Sequence, residues 1–180
     1  MKIVLSVILK IILSVNLYSS MEFVNECSVE YPLMLSLATQ ERHPAKEIGY
    51  PYLISINLSN DKLLAKKNVT KNYWLDKRTI DCKNSENCVK IYKKLYSLGI
   101  KNVDLGAYQI NPKFHKHKES DYFMLDKSYI IACKFIESLN KELGWSWETI
   151  ASYHSRTPNL NNAYKKRIQK IYKGYVQNEN

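Results

Sequence analysis

The acidic residue with the most distinctive setting is Glu41, which follows the most apolar helical segment after position 20. Leu37 and Ala38 lie one turn before it, so a helix would hold its carboxyl against apolar side chains. Burial of this kind disfavours the ionised carboxylate and raises its pKa. A carboxyl that keeps its proton near neutral pH can act as a general acid. The alternative is a solvated carboxylate at the end of a helix.

The cysteines are the second set of reactive side chains. The chain has 4 of them, and in an exported protein an even number favours disulfides, here with three possible connectivities. Cys82 and Cys88 could close a short polar loop, which would leave Cys27 and Cys133 as a long-range pair. A metal site is the rival interpretation. No Cys-x-x-Cys occurs, and the two histidines of residues 113–118 alternate with lysines that would repel a cation, so we expect no metal and no cofactor.

The first twenty residues have the pattern of a secretory signal peptide. Residues 3–15 are apolar apart from two serines and Lys10, and small residues precede position 21. The stretch is shorter than the roughly 20 apolar residues of a membrane-spanning helix, although an uncleaved membrane anchor is the alternative. We therefore predict a signal peptide at 1–20, no stable membrane span, and a working domain at 21–180.

The chain is strongly basic, with 27 Lys and Arg against 17 Asp and Glu and a formal net charge of +10. This excess favours an anionic partner, which could be nucleic acid, a membrane surface or a cell-wall polymer. The basic run at 165–173 lies on the outer side of the last predicted helix, where a solvated face is the ordinary explanation. Export argues against nucleic acid, so we expect the positive surface to attract an acidic wall polymer.

These residues must be positioned by a mostly helical chain with a small sheet. A chain of 180 residues that is 45% hydrophobic and 24% charged has the composition of one globular domain. Residues 58–88 show little periodicity, and we interpret them as a surface insertion. Apolar periodicity predicts a strand at 52–57, a strand or turn at 104–111, and helices at 29–38, 89–96, 131–143, 147–153 and 164–175. The predicted fold class is α+β.

Four segments of the chain form a recognisable combination. They are Leu37-Ala38-Thr39-Gln40-Glu41, residues 51–57, residues 103–111 and Ala151-Ser152-Tyr153-His154. In their order and spacing, over roughly residues 27–175, they resemble the soluble lytic transglycosylase family. The closest likeness is to the small exported members associated with type IV secretion and conjugation systems. The resemblance implies a mostly helical lysozyme-like fold, related to goose-type lysozyme, with a small β-sheet.

The resemblance also implies a reaction and a location. The enzyme would cleave the β-1,4 bond between N-acetylmuramic acid and N-acetylglucosamine in peptidoglycan and leave a 1,6-anhydro ring. Glu41 would be the single general acid and base, so no second carboxylate is required, unlike in most glycosidases. The chain would work without a cofactor, as a monomer, in the periplasm or cell envelope of a bacterium, and it could serve a secretion or conjugation apparatus.

Within the matching segments, the resemblance assigns roles to further residues. Gln109 would donate or accept hydrogen bonds with the glycan from a loop that faces the catalytic carboxyl. Gly106 would allow the backbone to approach a sugar closely, and Tyr153 would orient the Glu41 carboxyl with its hydroxyl. Tyr108 and Asn111 complete the implied substrate-binding set.

Two departures and two alternatives accompany this interpretation. The family has serine after its catalytic glutamate, whereas this chain has Arg42, a cation that would lower the pKa of Glu41 unless it turns into solvent. His154 stands where the family commonly has asparagine. One alternative is a catalytically weak peptidoglycan-binding assembly factor. The other is a lysozyme-type hydrolase, in which Asp104 or, less suitably, Glu47 would hold a water molecule.

Overall fold

Six α-helices and three short strands make up most of residues 26–177, the part of the chain that this computed structural model describes. The α+β class predicted from the sequence is confirmed. The predicted signal peptide at 1–20 lies outside the described residues. The elements are α1 Tyr31–Glu41, β1 Leu53–Ile56, α2 Ser59–Asn68, β2 Thr79–Asp81, α3 Ser85–Ser97, β3 Val103–Leu105, α4 Leu125–Leu143, α5 Trp147–Ala151 and α6 Pro158–Gln177, with 3₁₀ turns at Lys71–Tyr73 and Glu119–Phe123.

The three strands form one antiparallel sheet in the order β2-β1-β3. Ile54 of the central strand lies opposite Ile80 on one side and Leu105 on the other. All four residues of β1 are buried, which explains why its sequence is mainly apolar rather than alternating. The sheet thereby fixes the positions of the loops that leave its strands.

Residues 58–88 contain more regular structure than the sequence pattern predicts. Helix α2 lies on the surface, and Ala65 is its one buried residue, so no apolar stripe marks it as a helix. Strand β2 is only three residues long, yet all three are buried at an edge of the sheet. The segment is therefore part of the fold, and its short elements carry too few apolar residues for periodicity to reveal them.

Helix α1 is a core helix that packs against α6. Its residues Leu33, Met34 and Leu37 are buried, and the Thr39 hydroxyl lies 2.7 Å from the hydroxyl of Tyr175 on α6. Pro32 occupies the first turn, where its missing N–H costs nothing. The helix ends at Glu41 because the next residue adopts an extended backbone.

Two disulfides fasten this framework. Cys27 is bonded to Cys133, with their Cα atoms 5.9 Å apart, and this bond ties the segment before α1 to α4. Cys82 is bonded to Cys88, with a Cα separation of 4.9 Å, and this bond joins the end of β2 to α3. This is the pairing that the spacing of the cysteines favoured. Within residues 26–177, no helix combines the length and the apolar character needed to cross a membrane.

The residue after β3 must be glycine. Gly106 has φ +75° and is buried, and a Cβ built on it would lie 1.9 Å from the backbone oxygen of Tyr122. Its own N–H donates to the Leu53 carbonyl at 2.9 Å, so the loop cannot move away without breaking a contact with β1. The absent side chain makes room for the backbone of a neighbouring 3₁₀ turn.

We predict that Gly106→Ala destabilises the fold by about 3 kcal/mol or more, because a Cβ atom there collides with backbone atoms. Gly99→Ala is the matched control: Gly99 has φ +83°, and its Cβ would meet nothing within 4 Å. That variant should lose only about 1 kcal/mol, the cost of a left-handed backbone conformation. Urea unfolding followed by circular dichroism measures both. Equal losses would mean that the contact with Tyr122 is unimportant.

Candidate active site

A cleft of about 850 Å³ lies where α1 ends, beside the sheet and the loop that follows β3. Of the residues that the sequence assigned to the site, Glu41, Gln109, Asn111 and Tyr153 line it, whereas Gly106 and Tyr108 do not. Other lining side chains come from β1 and the residue after it, from the segment before β2, from β3 and from the residues that follow α5: Ser55, Asn57, Asp76, Arg78, Asp104, Ser152 and His154. The chain thus brings distant segments to one concave surface.

The carboxyl of Glu41 is an unusual acid. Burial raises its pKa from 4.5 to about 7, with a further upward contribution from the charge of Asp104. The hydrogen bond from Tyr164 and the positive charges of Arg78 and Arg167 act in the opposite direction. Glu41 therefore changes its protonation state near neutral pH, where it can both donate and accept a proton.

The hydroxyl that orients Glu41 belongs to Tyr164. It donates a hydrogen bond of 2.7 Å to Oε1 of Glu41. Tyr164 is buried on α6, and its ring stacks on that of His154 with centroids 4.9 Å apart and planes within 7°. In the sequence, Tyr164 begins the apolar stripe of the last predicted helix, at 164–175. A buried tyrosine hydroxyl needs a hydrogen-bond partner, but the sequence does not indicate which residue this partner is.

Tyr153, to which the resemblance gave the orienting role, supports the loop after β3 instead. Its hydroxyl donates to the backbone oxygen of Tyr108 at 2.6 Å, and its ring lies 5.2 Å from that of Phe135. Burial raises the pKa of Tyr153, and the nearby charge of Glu41 adds to the effect. Tyr153 therefore sits close to the carboxyl without the hydrogen bond that was predicted.

The loop after β3 contributes unequally to the cleft. Gln109 lines it, with an unusual φ of +46°, and its Nε2 donates to the Gly106 oxygen at 2.8 Å. Tyr108 is buried, and its ring packs edge-on against Tyr129 at 6.0 Å. Gly106 faces the Tyr122 backbone. Tyr108 and Gly106 thus shape the loop, whereas the resemblance assigned them to the substrate.

A second carboxyl, that of Asp104, lines the same cleft. Asn111 donates to its Oδ1 at 3.0 Å, and Nη2 of Arg78 lies 3.4 Å from its Oδ2. Arg78 also donates to Oδ1 of Asn57 at 3.1 Å. Burial raises the pKa of Asp104, and the hydrogen bonds from Asn57 and Asn111 and the charge of Arg78 lower it. Asp104 and Asn111 were predicted from the sequence, whereas Arg78, which pairs with Asp104, was not.

The first residue after Glu41 is exposed to solvent, whereas His43 is half-buried. Arg42 is exposed and lines the cleft, while Nε2 of His43 lies 3.4 Å from the Asp76 carboxylate. Glu47 is exposed and lies outside the cleft lining. The arginines that lower the pKa of Glu41 most are Arg78 and Arg167, so the cation adjacent in sequence is not the one that acts most strongly on the carboxyl.

Comparisons with protein-family models, curated proteins and solved structures give no match to this chain. The site combines a carboxyl that titrates near neutral pH, a tyrosine that donates to it and a polar wall. It can therefore donate a proton to a bound ligand and take one back.

We predict that Tyr164→Phe raises the pKa of Glu41 above about 7, because the lost hydrogen bond favoured the ionised form. A hydrogen bond to a carboxylate of this kind corresponds to roughly one pKa unit. The carboxyl carbon chemical shift of Glu41, followed by NMR against pH, measures the change. Tyr153→Phe is the control, since that hydroxyl donates elsewhere. A pKa that moves equally in both variants would contradict the assignment.

We also predict that Glu41→Gln makes the fold more stable at alkaline pH. The folded-state pKa of Glu41 is raised, so wild-type stability falls as the pH rises from about 4.5 to about 7. Glutamine has the shape of the protonated acid and does not titrate. The variant should therefore match the parent near pH 4 and exceed it by up to about 3 kcal/mol at pH 8. Urea unfolding across this range tests it, and a pH-independent difference would contradict it.

Proposed function

We propose that this chain is a peptidoglycan lytic transglycosylase with a lysozyme-like domain and Glu41 as its single general acid and base. The observation that carries the proposal is the Glu41 carboxyl, with its pKa raised to about 7 and its Oε1 held by Tyr164, in a cleft of about 850 Å³. A cleft of this size is at the upper end of the range for ligand sites. The resemblance of four sequence segments to the transglycosylase family supports the same function.

In the proposed reaction, the protonated Glu41 carboxyl first donates its proton to the oxygen that bridges two sugars, and the bond from the muramyl C1 to that oxygen breaks. The acetamido group of the same sugar stabilises the positive charge on C1. The ionised Glu41 then removes the proton of the muramyl C6 hydroxyl, whose oxygen bonds to C1. The ring closes without water, and Glu41 regains its proton.

The contacts of Glu41 suit both steps. Burial favours the neutral acid that the first step needs. The hydrogen bond from Tyr164 and the charges of Arg78 and Arg167 stabilise the carboxylate that the first step leaves. A pKa near the working pH is the compromise that serves a group acting first as acid and then as base.

The proposal includes a location and a partner. We expect residues 1–20 to direct export, and the domain to act on glycan strands in the periplasm or cell envelope of a bacterium, as a monomer. Without the two lysines of residues 1–20, the domain has 25 Lys and Arg against 17 Asp and Glu, and this net charge of +8 would draw it to acidic wall polymer over a range that salt shortens. The resemblance also implies that it could serve a secretion or conjugation apparatus.

A second candidate, a lysozyme-type hydrolase, is favoured by one observation: Asp104 lines the same cleft as Glu41 and its charge raises the pKa of Glu41. In that reaction Asp104 would orient a water molecule, which would attack C1 in place of the C6 hydroxyl. Burial raises the pKa of Asp104, while its contacts with Arg78 and Asn111 act in the opposite direction and favour the ionised form that would accept a proton from water.

Digestion of purified sacculi, followed by mass spectrometry of the soluble products, separates these reactions. We predict 1,6-anhydro-muramyl ends from the wild type, a loss of at least 100-fold in Glu41→Gln, and a decline in activity above pH 7 as Glu41 ionises. Asp104→Asn should still give anhydro products, because the proposed reaction does not use this carboxyl. This variant therefore tests whether the second carboxyl takes part in the reaction.

Reducing ends from the wild type, absent in Asp104→Asn, would establish the hydrolase instead. Full activity of Glu41→Gln would rule out both reactions as described here. No products from a folded wild-type chain that still binds sacculi would favour the third interpretation, a peptidoglycan-binding assembly factor.

A further inference from the structure

Three arginines line the cleft, and two of them have an acidic partner within residues 26–177. Arg78 lies 3.4 Å from the Asp104 carboxylate and donates to Asn57. Arg156 forms two hydrogen bonds with the Glu142 carboxylate, at 2.7 and 2.5 Å. Each of these guanidinium groups is therefore matched by an acid of the protein itself.

Arg42 is the third arginine, and within residues 26–177 it forms no ion pair and no side-chain hydrogen bond. The acids that line the cleft with it have other partners: Glu41 accepts from Tyr164, Asp76 faces His43, and Asp104 pairs with Arg78. Arg42 follows the proposed catalytic residue, is exposed and lines the cleft. Arg42 thus brings to the cleft lining a planar group with five donors and no counter-ion from the described chain.

We propose that Arg42 binds a carboxylate carried by the glycan strand, and so makes this site specific for muramyl-containing glycans over neutral ones. This inference rests on the proposed function for the identity of the strand. Guanidinium and carboxylate have matching planar geometry and form paired hydrogen bonds. Because Arg42 adjoins Glu41, the carboxylate it binds belongs to a sugar close to the cleaved bond.

Peptidoglycan offers this carboxylate from two sources. In strands without peptides, the lactyl ether of each muramyl residue ends in a free carboxylate. In strands with peptides, that group is an amide, and the carboxylates lie on the peptide instead. An oligomer of N-acetylglucosamine has the same backbone linkage and no carboxylate at all. Comparison of these ligands shows whether Arg42 binds a carboxylate or the sugar backbone.

The test measures binding by isothermal titration in a Glu41→Gln background, which prevents turnover. The ligands are peptide-free glycan strands, peptide-bearing strands and a hexamer of N-acetylglucosamine. Arg42→Gln should weaken binding of at least one muramyl-containing ligand about three- to tenfold at low salt. Its affinity for the neutral hexamer should stay within twofold of the parent. High salt should reduce the difference, and Arg42→Lys should recover part of it.

Arg156→Gln is the matched control. Arg156 lines the same cleft, but the Glu142 carboxylate already neutralises it, so its loss should change affinity for all three ligands by less than twofold. If Arg42→Gln loses affinity only for peptide-free strands, the ligand of Arg42 is the lactyl carboxylate. If it loses affinity only for peptide-bearing strands, the ligand is a carboxylate of the peptide. Unchanged binding by Arg42→Gln, or equal weakening with the neutral hexamer, overturns the inference.

This result is independent of the reaction itself. If wild-type digests contain neither anhydro nor reducing ends, the proposed activity fails, yet an Arg42-dependent preference for muramyl ligands would still establish the carboxylate site. If digests contain anhydro ends and Arg42→Gln binds every ligand as the parent does, the activity stands and the carboxylate site is wrong. Thermal unfolding of each variant verifies that the fold is retained.

Discussion

The site depends on two opposing effects on the pKa of Glu41: burial raises it, and hydrogen bonding lowers it. Burial alone would hold Glu41 firmly in its neutral form, whereas the bond from Tyr164 favours the anion, and the balance leaves its pKa at about 7. The balance needs a rigid setting, because the strength of a hydrogen bond depends steeply on its distance and angle. Packing of α1 against α6 supplies that setting, since one helix carries the acid and the other the tyrosine.

The opposite wall of the cleft rests on the sheet. Asp104 belongs to β3, and Arg78 precedes β2, so the ion pair between them spans the central strand. The loop after β3 keeps its shape through three devices: the missing side chain of Gly106, the hydrogen bond from Tyr153 to the Tyr108 oxygen, and the edge-on packing of the Tyr108 ring. The resemblance assigned Gly106 and Tyr108 to substrate binding. In the structure, they instead support the loop whose residue Gln109 lines the cleft.

The sequence predicted the elements that bury an apolar face, but it did not predict contacts that form only when the elements pack together. The apolar stripes of α1, α3, α4 and α6 predicted those helices, since each buries one face, and the spacing of the cysteines favoured the pairing that is present. Helix α2 and strand β2 were not predicted because they bury too few apolar residues. Glu41 was found from its apolar context. Tyr164 was not, because its hydroxyl meets Glu41 across 123 positions of sequence, and such a contact exists only after the helices pack.

Charge distribution adds a constraint that neither the helices nor the sheet explains. A buried acid keeps its proton near arginines only if their charge is partly neutralised or is screened by solvent, since an unscreened cation beside it would stabilise the carboxylate. Arg78 meets this condition through Asp104, whose own charge raises the pKa of Glu41 and so offsets part of the effect of the arginine. Asp104 therefore has a role in setting the acidity of Glu41 whether or not it handles water. The exposed Arg42 meets the condition differently, because solvent screens its charge until a bound anion replaces that solvent.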